Sequence, residues 1–301
     1  MNGVIVINKP QQFTSFDVVA VARKALSTKK VGHCGTLDPN ATGVLPLLVG
    51  NATKAQDIIP NHDKSYIADF KFGFSSDTLD IWGEIAEENG DDVTKEELLG
   101  VLPHFVGDIM QTPPMYSAIQ KDGVRLYDLA RKGIEVEREA RPVTIYSLEL
   151  VDFDEKTQSG TLNVSCSKGT YIRQLISDIA QRLGTCAIMT DLIRTSACGF
   201  ELSDAITLEQ LKAISDNGEI ESRLMTIESL FVSYSELVVS SKQAVRFYNG
   251  NPLDIQRTAL RDNMPDDSTI LRVKDTNGGF LGLGIVDLQK GVLKIYKHFS
   301  K

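Results

Sequence analysis

The 301-residue sequence is short of the residues that mark several large function classes. It has four cysteines, Cys34, Cys166, Cys186 and Cys198, and no Cys-x-x-Cys pair. That pattern fits neither a disulfide framework nor a zinc site, and suits a reducing compartment. Its four histidines, His33, His62, His104 and His298, are too dispersed for a metal motif. No apolar run reaches the ~18 residues needed to span a bilayer. The N-terminus has no basic leader and no small-residue cleavage site, so no secretory signal is expected. There is no Walker loop, no Gly-x-Ser-x-Gly, no His-Glu-x-x-His and no full dinucleotide-binding fingerprint. Nothing in the chain asks for a metal or a nucleotide cofactor. The expectation is a cytoplasmic protein without membrane contact.

Basic residues are also in deficit, and the formal net charge is -8. The sum argues against a nucleic-acid partner, but the acid is localised. Residues 84–97 carry Glu84, Glu87, Glu88, Asp91, Asp92, Glu96 and Glu97 against Lys95, a balance of -6 that leaves -2 for the rest. Basic residues gather elsewhere, at Lys29 and Lys30, Lys121 and Arg125, Arg131 and Lys132, Arg138 and Arg141, and Lys168 and Arg173. A basic face with an acidic back is compatible with this spacing.

Periodicity divides the chain into an α+β region and a β-rich tail. Gly3 to Asn8 reads as a buried strand, and Ser15 as the cap of a helix reaching Leu26. Residues 32–46 read as a glycine-rich loop. Tyr66, Ala68, Phe70 and Phe72 alternate as on a strand. Thr94 with Glu97, and Thr207 with Gln210, form capping boxes. Thr170 is positioned to cap a helix from Tyr171 to Leu183, with Gly184 past its end. After about residue 230, short β runs alternate with Asn-Gly, Gly-Gly and Lys-Gly turns. The expected division is 1–230 and 231–301, with a linker between 215 and 235.

Three segments can carry chemistry. In Val31-Gly32-His33-Cys34-Gly35-Thr36-Leu37-Asp38-Pro39, glycines permit close approach of a ligand, and Asp38 is a candidate nucleophile or base. A turn aspartate bonded to its own backbone fits the same pattern. Cys166-Ser167-Lys168-Gly169-Thr170-Tyr171-Ile172-Arg173 joins a strand to a helix; Arg173 suits a phosphate or a carboxylate such as Asp38. Tyr66, in Lys64-Ser65-Tyr66, can stack on a base or fill a core. Lys9-Pro10 ends the first strand.

Together these segments resemble the bacterial tRNA pseudouridine-55 synthases, the TruB family. The resemblance is carried by Gly3 to Pro10, the Leu37-Asp38-Pro39 loop, Lys64-Ser65-Tyr66, Pro113-Pro114-Met115-Tyr116-Ser117-Ala118, Arg125-Leu126-Tyr127, Arg141-Pro142-Val143, the Cys166 to Arg173 segment and Leu192. It is firm over residues 2–200 and weaker beyond, where Gly250-Asn251-Pro252 echoes it. Cys34 stands where relatives often carry threonine.

The resemblance implies an α+β fold with a mixed, mainly antiparallel sheet, flanking helices and a small PUA-like C-terminal domain. It implies isomerisation of uridine 55 in the tRNA T loop, with the base flipped out of its stack and no cofactor. Asp38 is then the catalytic carboxylate, with Arg173 paired to it inside the protein and Lys9 supporting from below. Tyr66 stacks on the flipped base and helps to move a proton, Tyr171 and Leu192 line its pocket, and His33 holds displaced RNA. A monomer that binds the tRNA T arm without guide RNA is expected. The rival classes are a guide-dependent synthase within an RNA–protein particle and an RNA-folding protein with little catalysis. The first of these usually carries basic extensions and a clear PUA domain, and neither is evident in the sequence.

Overall fold

The computed structural model describes residues 1–88, 90–121 and 123–299. Nine strands build its main sheet: β1 (Gly3–Lys9), β2 (Val31–His33), β3 (Thr42–Val49), β4 (Lys64–Phe72), β5 (Gly107–Gln111), β6 (Arg141–Asp154), β7 (Ser159–Cys166), β8 (Ala187–Ala197) and β9 (Phe200–Glu201). The order is β1-β3-β8-β4-β7-β6-β5, with β2 beside β3 and β9 beside β8. All of these pairs are antiparallel except β3 with β8. The sheet is therefore mixed and mainly antiparallel, as the α+β reading expects.

The parallel seam is short, and it positions the site. Ile193 pairs with Thr42 and Arg194 with Gly43. Gly43 has φ +106°, and a Cβ there would overlap the backbone of Arg194. Only glycine allows the two strands to meet this closely. Across β8 on its other side, Arg194 pairs with Tyr66 and Leu192 with Ala68. Tyr66 and Leu192 are thus brought to adjacent strands in the middle of the sheet.

Helices cover the apolar faces. Helix α1 (Ser15–Ala25) buries Val18, Val19 and Ala22 against Ile5, Ile7, Leu45 and Leu47. Its cap is Thr14, not Ser15. Asp17 sits three residues after Thr14 and returns a bond to its backbone, completing a capping box that Ser15 has no partner to form. Helix α2 (Lys95–Val101) has the expected Thr94–Glu97 box.

Helix α3 (Ile172–Arg182) packs Ile172, Leu175, Ile176 and Ile179 into one core with Phe70, Phe72 and Leu162. Each such side chain contributes about 1.5–3 kcal/mol on burial. The expected Thr170 cap is absent. Tyr171 occupies the cap position, and the Thr170 hydroxyl donates to the Ser167 carbonyl at 3.0 Å. Helix α4 (Leu208–Asp216) is capped by Thr207 and Gln210, as its sequence suggests.

A five-stranded sheet follows: β10 (Glu236–Val238), β11 (Leu253–Asp254), β12 (Ile270–Lys274), β13 (Phe280–Asp287) and β14 (Val292–Lys297), ordered β10-β12-β13-β14-β11. Helix α5 (Ser241–Tyr248) buries Phe247 in its core. This β-rich unit fits the PUA-like expectation. The stretch 215–235 is well packed: Met225 exchanges backbone hydrogen bonds with Val4, and Leu230 and Phe231 share a core with Val4, Val6, Leu283 and Phe299. Among the described residues, no helix is long and apolar enough to cross a membrane.

Candidate active site

The stretch 32–46 is less loop than its glycines suggest, because β2 and β3 take both ends and leave residues 34–41 between them. Leu37 is buried in the core with Tyr66 and Leu192. Sinking Leu37 turns the next side chain outward, and Asp38 is 42% exposed. The expectation of a buried carboxylate is corrected here: Asp38 opens to solvent, where a substrate can reach it.

Backbone bonds from distant residues hold this loop. The Ser15 hydroxyl accepts from the Leu37 N–H at 2.9 Å and donates to the Leu37 carbonyl at 3.2 Å. Ser15 is thus spent on the loop and not on its helix. Lys9 is fully buried, and its ammonium donates to the carbonyls of Pro10, Phe13 and Pro39 at 2.9, 2.7 and 2.9 Å. Burial pushes the Lys9 ammonium down to about 8, against the opposing pull of the Asp38 charge. Arg194, also fully buried, donates to the carbonyls of Val44, Thr36 and Gly35.

Arg173 reaches Asp38 from the first turn of α3, with Nη2 to Oδ2 at 3.0 Å. The guanidinium is only 6% exposed. It also faces Asp80 at 3.6 Å and donates to the carbonyls of Thr78 and Tyr116 at 2.8 and 3.0 Å. Asp80 accepts from the Thr78 hydroxyl at 2.6 Å and the Trp82 N–H at 3.0 Å. With its carboxylate open to water, the Arg173–Asp38 pair contributes no more than about 1 kcal/mol to stability. Its effect is orientation: a cation fixed on three other partners fixes the carboxylate.

Tyr66 lies on β4, 6% exposed, with its hydroxyl beside the Arg194 guanidinium. Burial pushes the phenol up to about 12, and the arginine charge opposes that shift. Tyr171 is partly buried at the start of α3. Its backbone N–H donates to Gln111 Oε1 at 2.8 Å, and its carbonyl accepts from Gln111 Nε2 at 3.2 Å. Burial raises the Tyr171 phenol, and the Asp38 charge raises it further. Leu192 is 6% exposed in the core that holds Leu37 and Tyr66. His33 is partly exposed on β2. Burial, then the Arg194 charge, lowers its imidazole, against the opposing effect of the Gly35 backbone.

The structure therefore joins Asp38 directly to Arg173 and, through the carbonyl of Pro39, to Lys9. Tyr66 and Leu192 flank the Leu37 anchor, and His33 belongs to the Arg194 side of the loop. Ser15, Asp80, Gln111 and Arg194 were missed as site residues by sequence reasoning. A signal existed for Arg194, a cation two residues after Leu192 in the same buried phase of an apolar strand. None existed for Gln111 or Asp80. Among the described residues, no group of three or more His, Cys, Asp or Glu is placed to hold a metal ion.

A family model described as TruB family pseudouridylate synthase (N terminal domain) matches residues 23–172. A second, tRNA pseudouridylate synthase B C-terminal domain, matches residues 173–232. The chain belongs to the TruB family. It is 44% identical over 292 residues to a tRNA pseudouridine synthase B of Clostridium perfringens (strain SM101 / Type A), covering 97% of each chain. It is 43% identical over 256 residues to the tRNA pseudouridine synthase B of Geobacillus thermodenitrificans, covering 83% of this chain and 85% of that one. Its fold matches a chain from an H/ACA RNP bound to a substrate RNA containing 2′-deoxyuridine, with a TM-score of 0.74 and 22% identity over 99% of this chain and 85% of that one. A chain of a Cbf5-Nop10-Gar1 complex matches with the same TM-score at 23% identity and the same coverage. These two fold likenesses cover both sheets.

Proposed function

We propose that this protein isomerises uridine 55 in the T loop of tRNA to pseudouridine, with Asp38 as the catalytic carboxylate. The observation that carries this reading is a half-exposed Asp38 held by a buried Arg173 at 3.0 Å. A turn aspartate serving only its own backbone needs no such partner. Membership of the TruB family and the names of the relatives support tRNA as the substrate class.

In the reaction, the bond from N1 of uracil to C1′ of the ribose breaks, the base turns, and C5 bonds to C1′. C5 then gives up its proton, and N1 gains one. The leaving group is also the returning nucleophile, so redox state and composition are unchanged. Asp38 serves as nucleophile or base beside the sugar and flipped base. Arg173 keeps it aimed. Tyr66 stacks on the base, Tyr171 and Leu192 line its pocket, and His33 holds the RNA that flipping displaces. Lys9 supports the loop from beneath. The 1–230 region carries the chemistry, and residues 231–301 add RNA contacts. The enzyme works as a cytoplasmic monomer without guide RNA.

Basic and aromatic residues near the site suit RNA. Arg173 holds the Tyr116 carbonyl, and a hairpin follows at once, Gln120–Lys121 with Val124–Arg125, then a helix at Leu126–Ala130. Arg125 and Arg131 both lie over the Tyr127 ring, at 5.8 and 5.5 Å. Binding to a T-arm hairpin is expected to weaken with salt, each phosphate contact adding about -0.7 to -0.9 to the log–log slope. A flat salt titration contradicts the phosphate contacts.

Tyr66→Phe is expected to slow turnover about a hundredfold while leaving hairpin affinity nearly unchanged, because it removes a hydroxyl and keeps the ring. Equal losses of rate and affinity leave Tyr66 a stacking role alone.

Lys9 predicts a pH dependence. Its folded value of about 8 lies below the ordinary 10.5, so the unfolded chain binds more protons between those values. The Lys9 contribution to stability therefore grows with pH across that window. Activity runs the other way: above about 8 the ammonium discharges, and with it goes the charge that faces Asp38. A pH–rate profile at saturating RNA is expected to descend through about 8, and Lys9→Met to lower the rate and remove that limb.

The direct test incubates the purified protein, without guide RNA, with an unmodified T-arm hairpin and with the same hairpin carrying cytidine at position 55. Pseudouridine in the first and none in the second supports the reading. No product from either, or product at another uridine, overturns it.

A further inference from the structure

We propose that Arg194 is a positioning residue for this reaction, giving the Asp38 loop its shape and tying that loop to the strand of Tyr66. The inference rests on the proposed pseudouridine synthase activity. The Arg194 guanidinium is 0% exposed. Among the described residues, it has no carboxylate within ion-pair distance. A buried charge without a counter-charge is costly unless its hydrogen bonds are satisfied.

Here main-chain carbonyls satisfy them. Nε donates to Val44 at 2.7 Å, Nη1 to Thr36 at 3.1 Å and Nη2 to Gly35 at 3.2 Å. Two of these carbonyls precede Asp38 in the loop, and the third follows it. One planar fork thus sets the separation of the two limbs that carry the carboxylate. A lysine, with a point charge at the end of a flexible stem, does not reproduce that geometry.

The same residue reaches the base-stacking side of the site. Arg194 and Tyr66 are cross-strand partners, and the guanidinium lies beside the Tyr66 hydroxyl. The glycines of the loop serve this contact. Gly43 lets β3 press on the Arg194 backbone, and Gly35, at φ +81°, turns the chain so that its carbonyl meets Nη2. Arg194 touches neither Asp38 nor the solvent-open mouth directly. It acts through the loop.

The test compares wild type, Arg194→Lys and Arg194→Met in single-turnover pseudouridine formation on the T-arm hairpin at saturating protein. Hairpin affinity and the urea unfolding midpoint are measured on the same samples. Met keeps the length of the side chain without the charge, and Lys keeps the charge without the fork. Both variants are expected to bind the hairpin within about threefold of wild type and to lose about a hundredfold in rate, the scale of a small misplacement of a reacting group. If Met loses the fold, Lys decides the question. Wild-type rates in the folded variants, or a rate loss matched by the loss of affinity, overturn the positioning role while leaving the activity intact. A wild-type protein that makes no pseudouridine overturns the proposed function itself.

Discussion

Asp38→Asn is expected to abolish pseudouridine formation while leaving tRNA binding within about tenfold, roughly 1.4 kcal/mol. Asparagine has the shape of aspartate and can still accept a hydrogen bond from Arg173. The loop does not depend on the Asp38 side chain, since Ser15, Lys9 and Arg194 hold the backbone on either side of it. The fold therefore survives, and what disappears is the negative charge at the mouth of the site. Folding stability is expected to change by no more than about 1 kcal/mol, because the carboxylate is half exposed. Single-turnover kinetics and filter binding on one protein preparation separate the two effects. Substantial turnover by the variant removes Asp38 from the chemistry.

Arg173→Lys has the second largest expected effect. The arginine fork reaches Asp38 and the Tyr116 carbonyl through Nη2, and the Thr78 carbonyl and Asp80 through Nη1. A lysine ammonium reaches fewer of these at once. The carboxylate keeps a nearby cation but loses its fixed direction, and turnover is expected to fall about a hundredfold with little change in affinity. Arg173→Ala goes further. It leaves Asp80, 12% exposed, without its cation and is expected to cost about 3 kcal/mol of stability by urea unfolding. An Arg173→Lys variant that turns over like wild type contradicts the orienting role.

The sequence made the sheet and its apolar faces legible wherever burial alternates with the strand period. Tyr66, Ala68, Phe70 and Phe72 are the clearest case, and all four are buried. The Thr94 and Thr207 caps were legible because both halves of each box lie within three residues. The Ser15 cap failed because two adjacent residues can cap, and a partner 22 positions away claims the second. The Thr170 cap failed for a similar reason: its hydroxyl turns back to the Ser167 carbonyl, and Gln111, 60 residues distant, holds the Tyr171 backbone at the cap position.

The site follows the same rule. Asp38 and Arg173 were legible as a pair because each sits in a distinctive segment. Arg194 showed only its place in the buried phase of an apolar strand; its role was hidden, since its partners are main-chain carbonyls some 150 positions away, and a carbonyl leaves no mark in a sequence. The exposure of Asp38 was misjudged because it depends on Leu37, whose burial is a tertiary fact.

The most direct test of the central claim is positional mapping of pseudouridine in a full-length unmodified tRNA transcript after incubation with the purified protein alone. The account predicts a single new pseudouridine, at position 55 of the T loop, formed without guide RNA and absent when Asp38→Asn replaces the wild type. Pseudouridine elsewhere in the transcript, formation only on addition of a guide RNA, or equal product from the variant contradicts it.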